Sequence, residues 1–375
     1  MSVTKEQVFE HLAKVASPDG TPLPKTGTLS EIVASDGKVF FSITVDAASV
    51  QAWEPVRKRA EDAVRAISGV KSVMVALTAE RKGGAARPQA APAARPGQGG
   101  PGHQHGPSGI PGVGAIIAVA SGKGGVGKST LAINLALGLR DLGMKVGVLD
   151  ADIYGPSLPK LLAIRERPET IGGTRLKPLQ RHGLTVMSIG FLIEEETPMI
   201  WRGPMVMSAL TQMLREVEWG TLDVMVVDMP PGTGDAQLTM AQQVPLKGAV
   251  IVSTPQDLAL IDARRGIAMF KRVNVPVLGI VENMSYFLCP QCGTRSDIFG
   301  HGGARREAER LGVPFLGEVP LEMSIRETSD SGLPIVAGKP DSPEARAYRA
   351  IAERVRDELS GQGATKPAPR IVIEA

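Results

Sequence analysis

The sequence predicts an α/β fold: a mostly parallel sheet covered by helices on both faces, preceded by a smaller α/β unit. Three observations predict it. From residue 113 onward, near-continuous apolar runs alternate with stretches of helical periodicity, the pattern of strands buried on both faces and their crossover helices. A glycine-rich loop, SGKGGVGKST at 121–130, joins one such strand to one such helix. Residues 83–112 are rich in Gly, Pro and Ala and lack any period by which to bury a face, so they read as a mobile linker. At 375 residues the chain exceeds one ordinary core.

Residues 1–82 form the first unit. Thr4 and Gln7 make a capping-box pair ahead of Val8, Phe9, Leu12 and Val15, which predicts a helix there. In KVFFSITVDA, Val39, Phe41, Ile43 and Val45 share one face of a strand; Phe40, Ser42, Thr44 and Asp46 share the other. Trp53, Val56, Ala60, Ala63, Val64 and Ile67 recur at helical spacing, with Pro55 tolerable only near the helix start. Val73, Val75 and Leu77 alternate again. In the linker, His103 and His105 read as solvated polar residues or adventitious metal ligands.

The second unit spans 113–362 and leaves a tail at 363–375. After the glycine loop, Leu131, Leu135, Leu139 and Leu142 recur at helical spacing. Strands are expected at 146–149, 184–190, 222–227, 249–253, 277–281 and 315–319, and helices at 204–217, 257–273, 303–311 and 342–359. Ligands of such sheets bind at the carboxyl ends of the strands.

The loop itself carries chemistry. Gly122, four residues, Gly127, Lys128 and Ser129 satisfy the Walker A pattern, so the second unit is expected to be a P-loop NTPase. The residues from Gly122 through Lys123, Gly124, Gly125, Val126, Gly127, Lys128 and Ser129 to Thr130 would cradle ATP. Glycines let consecutive N–H groups face one anion, and the helix N-terminus adds partial positive charge. Lys128 would reach the β- and γ-phosphates, and the Ser129 hydroxyl would ligate Mg2+. Asp228 follows the apolar run VMVV, as a Walker B carboxylate should, and is a second candidate magnesium ligand. Asp150 and Asp152 end another strand, where an acidic turn is the plain reading. Lys123 is not required by the pattern and by itself reads as a solvated loop lysine.

Cys289 and Cys292 stand two residues apart in CPQC, with Pro290 and Gly293 shaping a turn. They are the chain's two cysteines, too few for a disulfide framework. Zinc or a cubane cluster wants about four ligands. Either histidine or carboxylate completes the site, or two copies of the loop meet across a two-fold axis. A two-chain structural zinc and a redox pair are further possibilities, and His301 is either an extra ligand or a turn histidine. Tyr286, Phe287 and Leu288 put apolar surface on what reads as a loop.

The net charge of +3, with 22% charged residues, is too mild to imply nucleic acid or an anionic membrane surface. No leader-like segment and no apolar run of about 20 residues is evident, so a cytoplasmic protein is expected.

With KGGVGKST, DADIYGPS, DMPPGTGD, VENMSYFLCPQC and FGHGGARREAERLGVPFLGEVP in this order, the second unit resembles the Mrp family of iron–sulfur cluster carrier ATPases, which have a deviant Walker A. The resemblance implies a homodimer in which Lys123 crosses to the partner's nucleotide. It implies slow ATP hydrolysis in which Asp152, in switch I, orients or deprotonates the attacking water, with Asp150 near the magnesium shell. PPGTGD would be switch II, moving at Gly232 and Gly234, and Asn283 would read the adenine edge, unless it is only a capping residue. It also implies a labile [4Fe-4S] cluster shared between paired CPQC loops of two chains, taken from cluster scaffold proteins and handed to apo iron–sulfur proteins. Two CxxC pairs suit [2Fe-2S] equally well. Residues 1–82 look like the small domain, related to a cytosolic iron–sulfur targeting factor, often fused to such ATPases; having no cysteine, they also read as a docking module. The main rival is a partition- or division-type ATPase switch with a zinc-stapled dimer, and another is a metal-binding scaffold whose nucleotide is structural.

Overall fold

The computed structural model describes residues 4–30, 32–35, 38–46, 49–70, 72–80, 109–172, 175–193 and 203–361. The linker over 83–108, with His103 and His105, and the tail at 363–375 lie outside the described residues. The chain divides into two compact units, Met1–Gln104 with Ile200–Ala209 and His105–Met199 with Leu210–Ala375.

In the first unit, α1 (Lys5–Leu12) starts at the expected capping box: Thr4 Oγ1 accepts from the Gln7 N–H, and the Thr4 N–H donates to Gln7 Oε1. Strands β1 (Val33–Ser35), β2 (Lys38–Asp46) and β3 (Ser72–Glu80) form a sheet in the order β1-β2-β3. β2 and β3 run parallel, so the chain needs a crossover, which α2 (Val50–Arg65) supplies. Val39, Phe41, Ile43 and Val45 bury against Val8, Leu12, Val56, Ala60 and Val64. Pro55 lies inside α2, because the helix starts at Val50 rather than near Trp53. There the missing N–H costs one intrahelical bond.

The second unit contains, in order, β4 (Val113–Ser121), α3 (Lys128–Asp141), β5 (Val146–Asp150), α4 (Leu158–Leu161), β6 (Thr170–Ile171), β7 (Arg175–Leu176), β8 (Leu179–Arg181) and β9 (Leu184–Ser188). Next come α5 (Gly203–Arg215), which this unit includes from Leu210 onward, β10 (Leu222–Asp228), α6 (Asp235–Gln243), β11 (Gly248–Ser253), α7 (Asp257–Arg272) and β12 (Val277–Glu282). The unit ends with β13 (Phe287–Leu288), β14 (Arg295–Ser296), α8 (Gly303–Leu311), β15 (Phe315–Glu318), α9 (Met323–Asp330), α10 (Ile335–Gly338) and α11 (Pro343–Leu359).

Eight of these strands make the central sheet, in the order β15-β12-β11-β4-β10-β5-β9-β8, parallel throughout except for the edge strand β8. β5 and β11 are buried along their whole length, which is why they read as apolar runs without alternation. α3 is buried from Leu131 to Leu139, with α11 against it. The approach is close at Gly138, where a Cβ would stand 2.8 Å from the Ala352 Cβ. Asp223, a charge near the start of β10, has a partner there: its Oδ2 accepts the Lys145 N–H at 2.6 Å.

Three further sequence expectations change. The linker ends earlier than residue 112: Ile110 is buried, and the Gly112 carbonyl accepts the Leu222 N–H at 2.8 Å. One apolar side chain and one hydrogen bond at the start of the β4–β10 pairing are enough to anchor a segment whose composition alone reads as linker. The strand expected at 184–190 stops at Ser188, where the chain tightens into a 3-10 turn over Ile189–Phe191. The stretch at 286–288 is no plain loop, because Phe287 and Leu288 pair with Ser296 and Arg295 in a hairpin.

Candidate nucleotide and cysteine sites

Parallel register brings the acidic strand ends to one edge. Asp150 and Asp228 are direct partners across β5 and β10, and β4 ends beside them at Ser121. The P-loop leaves β4 there, and α3 begins at Lys128. Gly125 and Gly127 take φ of 80° and 81°, a left-handed conformation that glycine adopts without cost. Two loop glycines are also sterically required: a Cβ on Gly122 would come within 2.4 Å of the Asp262 backbone, and one on Gly127 within 2.2 Å of Asn283 Nδ2. Gly124 and Gly125 face open space, where an anion can approach the backbone. The Lys123 carbonyl accepts from Ser121 Oγ at 2.9 Å, pinning the loop's base while the Lys123 side chain stays half-buried.

Lys128, Asp152 and Asp228 converge at this edge. The buried Lys128 ammonium donates to Asp228 Oδ1 at 2.5 Å, lies 3.3 Å from Ser129 Oγ and stands 4.0 Å from Asp152 Oδ2. The other oxygens, Asp228 Oδ2 and Asp152 Oδ1, are buried without a hydrogen-bond partner. Orphaned anionic oxygens beside a P-loop serine suit a hard, oxygen-seeking cation such as magnesium, which Ser129 and Asp228 would hold. Burial pushes the Asp152 carboxyl up, against the pull of Lys128.

Asp150 is fully buried and differently occupied. Its Oδ1 accepts from the Asp152 N–H at 3.1 Å; its Oδ2 accepts from the N–H groups of Ser157 and Leu158 and from the Ser188 hydroxyl at 3.0–3.1 Å. Burial, then the neighbouring Asp228 charge, raises its pKa to about 7. Asp150 thus organises the segment that carries Asp152, and its oxygens already face protein donors. Ser188, its partner from β9, carries no motif and was not expected from the sequence.

The PPGTGD segment is tied to the P-loop, since the Gly232 N–H donates to the Ser121 carbonyl at 3.0 Å; Gln237 Nε2 holds the Pro230 carbonyl at 2.9 Å. Asn283 follows β12 and is buried. Its Nδ2 donates one of its two N–H groups to the Val126 carbonyl at 2.8 Å, which ties Asn283 to the P-loop. Beside it Glu282, which sequence reasoning passed over, is fully buried. Its carboxylate accepts from Ser285 Oγ and from the N–H groups of Gly302 and Ala304, tying β12 to the start of α8.

Cys289 and Cys292 occupy the tip of the β13–β14 hairpin, which leaves the end of β12 a few residues beyond Asn283. Cys289 is half-buried and Cys292 exposed, and both thiols are free. The Cys289 carbonyl accepts the Gly293 N–H at 2.8 Å, and the Cys289 N–H donates to the Thr294 carbonyl at 3.0 Å, which closes the turn. The Thr294 hydroxyl lies 3.1 Å from Cys292 Sγ and holds that thiol below the ordinary cysteine range. A lowered pKa favours the thiolate, the form that binds soft metals. His301 does not join the cysteines. Its Nδ1 lies 2.6 Å from Arg295 Nη2 and groups with Glu282 and Glu318. Those carboxylates already have partners: Arg295 and Arg305 face Glu318, and Ser285 with the Gly302 and Ala304 N–H groups holds Glu282.

Among the described residues, no helix is long and apolar enough to cross a membrane. A family profile described as NUBPL iron-transfer P-loop NTPase matches residues 112–356, and one described as iron–sulfur cluster assembly protein matches residues 5–76. The iron–sulfur cluster carrier protein of Escherichia coli K12 is 55% identical over 260 residues, covering 69% of this chain and 70% of that protein. The carrier of the same name from Synechocystis is 41% identical over 367 residues, or 96% and 98% of the two chains. Among solved structures, a nucleotide-binding protein from Archaeoglobus fulgidus in complex with ADP superposes with a TM-score of 0.55 at 41% identity, covering 62% of this chain and 91% of that one. The glycine cradle, the strand-end carboxylates and the cysteine hairpin thus stand on a chain that belongs to the Mrp/NUBPL family of iron-transfer P-loop NTPases.

Proposed function

We propose that this protein is an iron–sulfur cluster carrier: a homodimer that holds a labile cluster between the cysteine hairpins of its two chains, receives it from scaffold proteins and delivers it to apo iron–sulfur proteins. One observation carries this reading. The cysteine pair is accessible and thiolate-prone, offers half the thiolates a cluster needs, and sits on a hairpin that grows directly from the nucleotide edge of the sheet. A second copy related by a two-fold axis supplies the other half. Two bonds from each chain explain lability, since each half-site is weak alone.

ATP binds along the P-loop, and phosphoryl transfer is then mostly positioning and electrostatics. Lys128 leaves Asp228 for the phosphates, Asp152 orients the attacking water, and the partner's P-loop adds Lys123 to the developing charge. Ser129 and Asp228 would hold magnesium, which would supply charge neutralisation during the transfer. Hydrolysis is slow and serves as a switch. Residues 1–82 are a docking module, and the protein works in the cytoplasm without nucleic acid or membrane.

Anaerobic reconstitution with iron and sulfide tests the carrier function. A visible cluster band, lost in Cys289→Ser and in Cys292→Ser, with transfer to an apo acceptor, is the expected result. A colourless protein holding half a zinc per chain would instead support the zinc-stapled ATPase switch.

A further inference from the structure

The cysteine hairpin is too small to hold itself in place. β13 and β14 share two residue pairs, and an isolated two-stranded hairpin is marginal in water. Its direction relative to the sheet therefore depends on anchors outside it: the Leu321 N–H donates to the Tyr286 carbonyl at 2.7 Å and the Leu288 N–H donates to Glu322 Oε1 at 3.3 Å on the β13 side, and on the β14 side the side-chain anchor is Arg295. This residue stands opposite Leu288 in the hairpin register, one position from Cys289. Its guanidinium gathers four segments. Nε is 2.9 Å from Asp297 Oδ1, Nη2 is 2.6 Å from His301 Nδ1 and 3.8 Å from Glu318 Oε2, and Cζ lies 4.2 Å from the centre of the Tyr286 ring.

The contacts continue inward without a gap. His301 directly precedes Gly302, whose N–H, with that of Ala304, is held by the buried Glu282 carboxylate. Glu282 adjoins Asn283, whose Nδ2 holds the Val126 carbonyl inside the P-loop. We propose that Arg295 is the positioning residue of the cysteine hairpin and the outer end of a relay, Val126 to Asn283 to Glu282 to His301 to Arg295, through which nucleotide occupancy is felt at Cys292. This rests on the carrier reading for its purpose, although its geometry lies within one chain. A phosphate that draws in the P-loop backbone moves the Val126 carbonyl, and the buried links leave the end of β12 little freedom to stay behind. Arg295 suits the outer position because its rigid fork meets several partners at fixed angles, which a lysine ammonium does not. Its side chain is 40% exposed, so the ion pairs add little to global stability, and variants should fold.

The test uses the full-length, cluster-free, reduced protein and a chromogenic disulfide reagent. Rates of thiol modification are measured without nucleotide, with ADP and with a non-hydrolysable ATP analogue, beside nucleotide affinity and melting temperature. In the wild type the rate should change about fivefold or more on nucleotide binding, the lower end of ordinary site-to-site coupling. In Arg295→Met and Arg295→Lys that ratio should fall towards one, while nucleotide affinity and melting temperature stay at wild-type values. A wild type whose thiols ignore nucleotide, or an Arg295→Met protein that keeps the full ratio, overturns the relay. Because no cluster is involved, nucleotide-sensitive thiols in a protein that transfers no cluster would sink the carrier reading and leave the relay standing.

Discussion

The Lys128 ammonium and the Asp228 carboxylate lie 2.5 Å apart, both buried, with Asp152 Oδ2 4.0 Å from the same ammonium. In the proposed function the lysine that goes to the phosphates is thus held by the carboxylate that goes to the magnesium. In that reading, nucleotide binding exchanges one set of charge partners for another.

Removing one member should therefore cost twice. Lys128→Ala is expected to lower ATP turnover by about 100-fold or more, the scale of losing one charge-stabilising donor. It should also destabilise the nucleotide-free protein by about 3–5 kcal/mol, because Asp228 is left buried and unpaired. Steady-state ATPase assays and urea unfolding check the two effects; full stability in Lys128→Ala would contradict the buried pair.

Asp150 fixes a pH dependence. Its folded pKa of about 7 lies above its ordinary value of 3.8, so between these values the folded state keeps a proton that the unfolded state has released. Stability from this group is fully present below pH 4 and is lost as pH rises towards 7. The melting temperature of the nucleotide-free protein should carry this downward contribution, and Asp150→Asn should remove it. Melting curves across that window for both proteins decide the matter, and identical slopes would refute it.

Gly127 is constrained by both its backbone and its neighbour. Gly127→Ala places a methyl on Asn283 Nδ2 and forces a side chain into φ of 81°, a strain of roughly 1–3 kcal/mol. Nucleotide affinity should collapse. Gly127→Ala combined with Asn283→Ala removes the clash but keeps the strain, so calorimetry should find partial recovery at most. Complete recovery would mean the left-handed conformation is not needed.

The Thr294 hydroxyl sets the reactivity of Cys292. Thr294→Val should raise the thiol pKa and move the pH profile of its alkylation to higher pH, with no change in melting temperature because the group is at the surface. An unmoved profile would mean the hydroxyl does not stabilise the thiolate.

Lys123 is the test of assembly. Lys123→Ala should leave nucleotide binding to the single chain largely intact while weakening ATP-dependent dimerisation and hydrolysis together. Sedimentation with a non-hydrolysable analogue would show this, and wild-type dimerisation in Lys123→Ala would remove the lysine from the interface.

By itself the sequence determined the parallel sheet, the P-loop with its lysine and serine, the strand-end aspartates and the cysteine pair. These are local facts: a buried strand must be apolar along its length, a phosphate loop needs glycines at fixed spacing, and two thiols at CxxC spacing need one turn. Tertiary structure alone decided which groups meet. Asn283 reaches Val126 across 157 positions, and Ser188 joins Asp150 across 38. Glu282 lies within VENMSYFLCPQC without a role that spacing assigns it, and Arg295 lies beyond that motif; they gain their roles because the sheet order and the hairpin register set them between the nucleotide edge and the cysteines. Such contacts depend on how distant strands stack, and residue spacing along the chain carries no record of that.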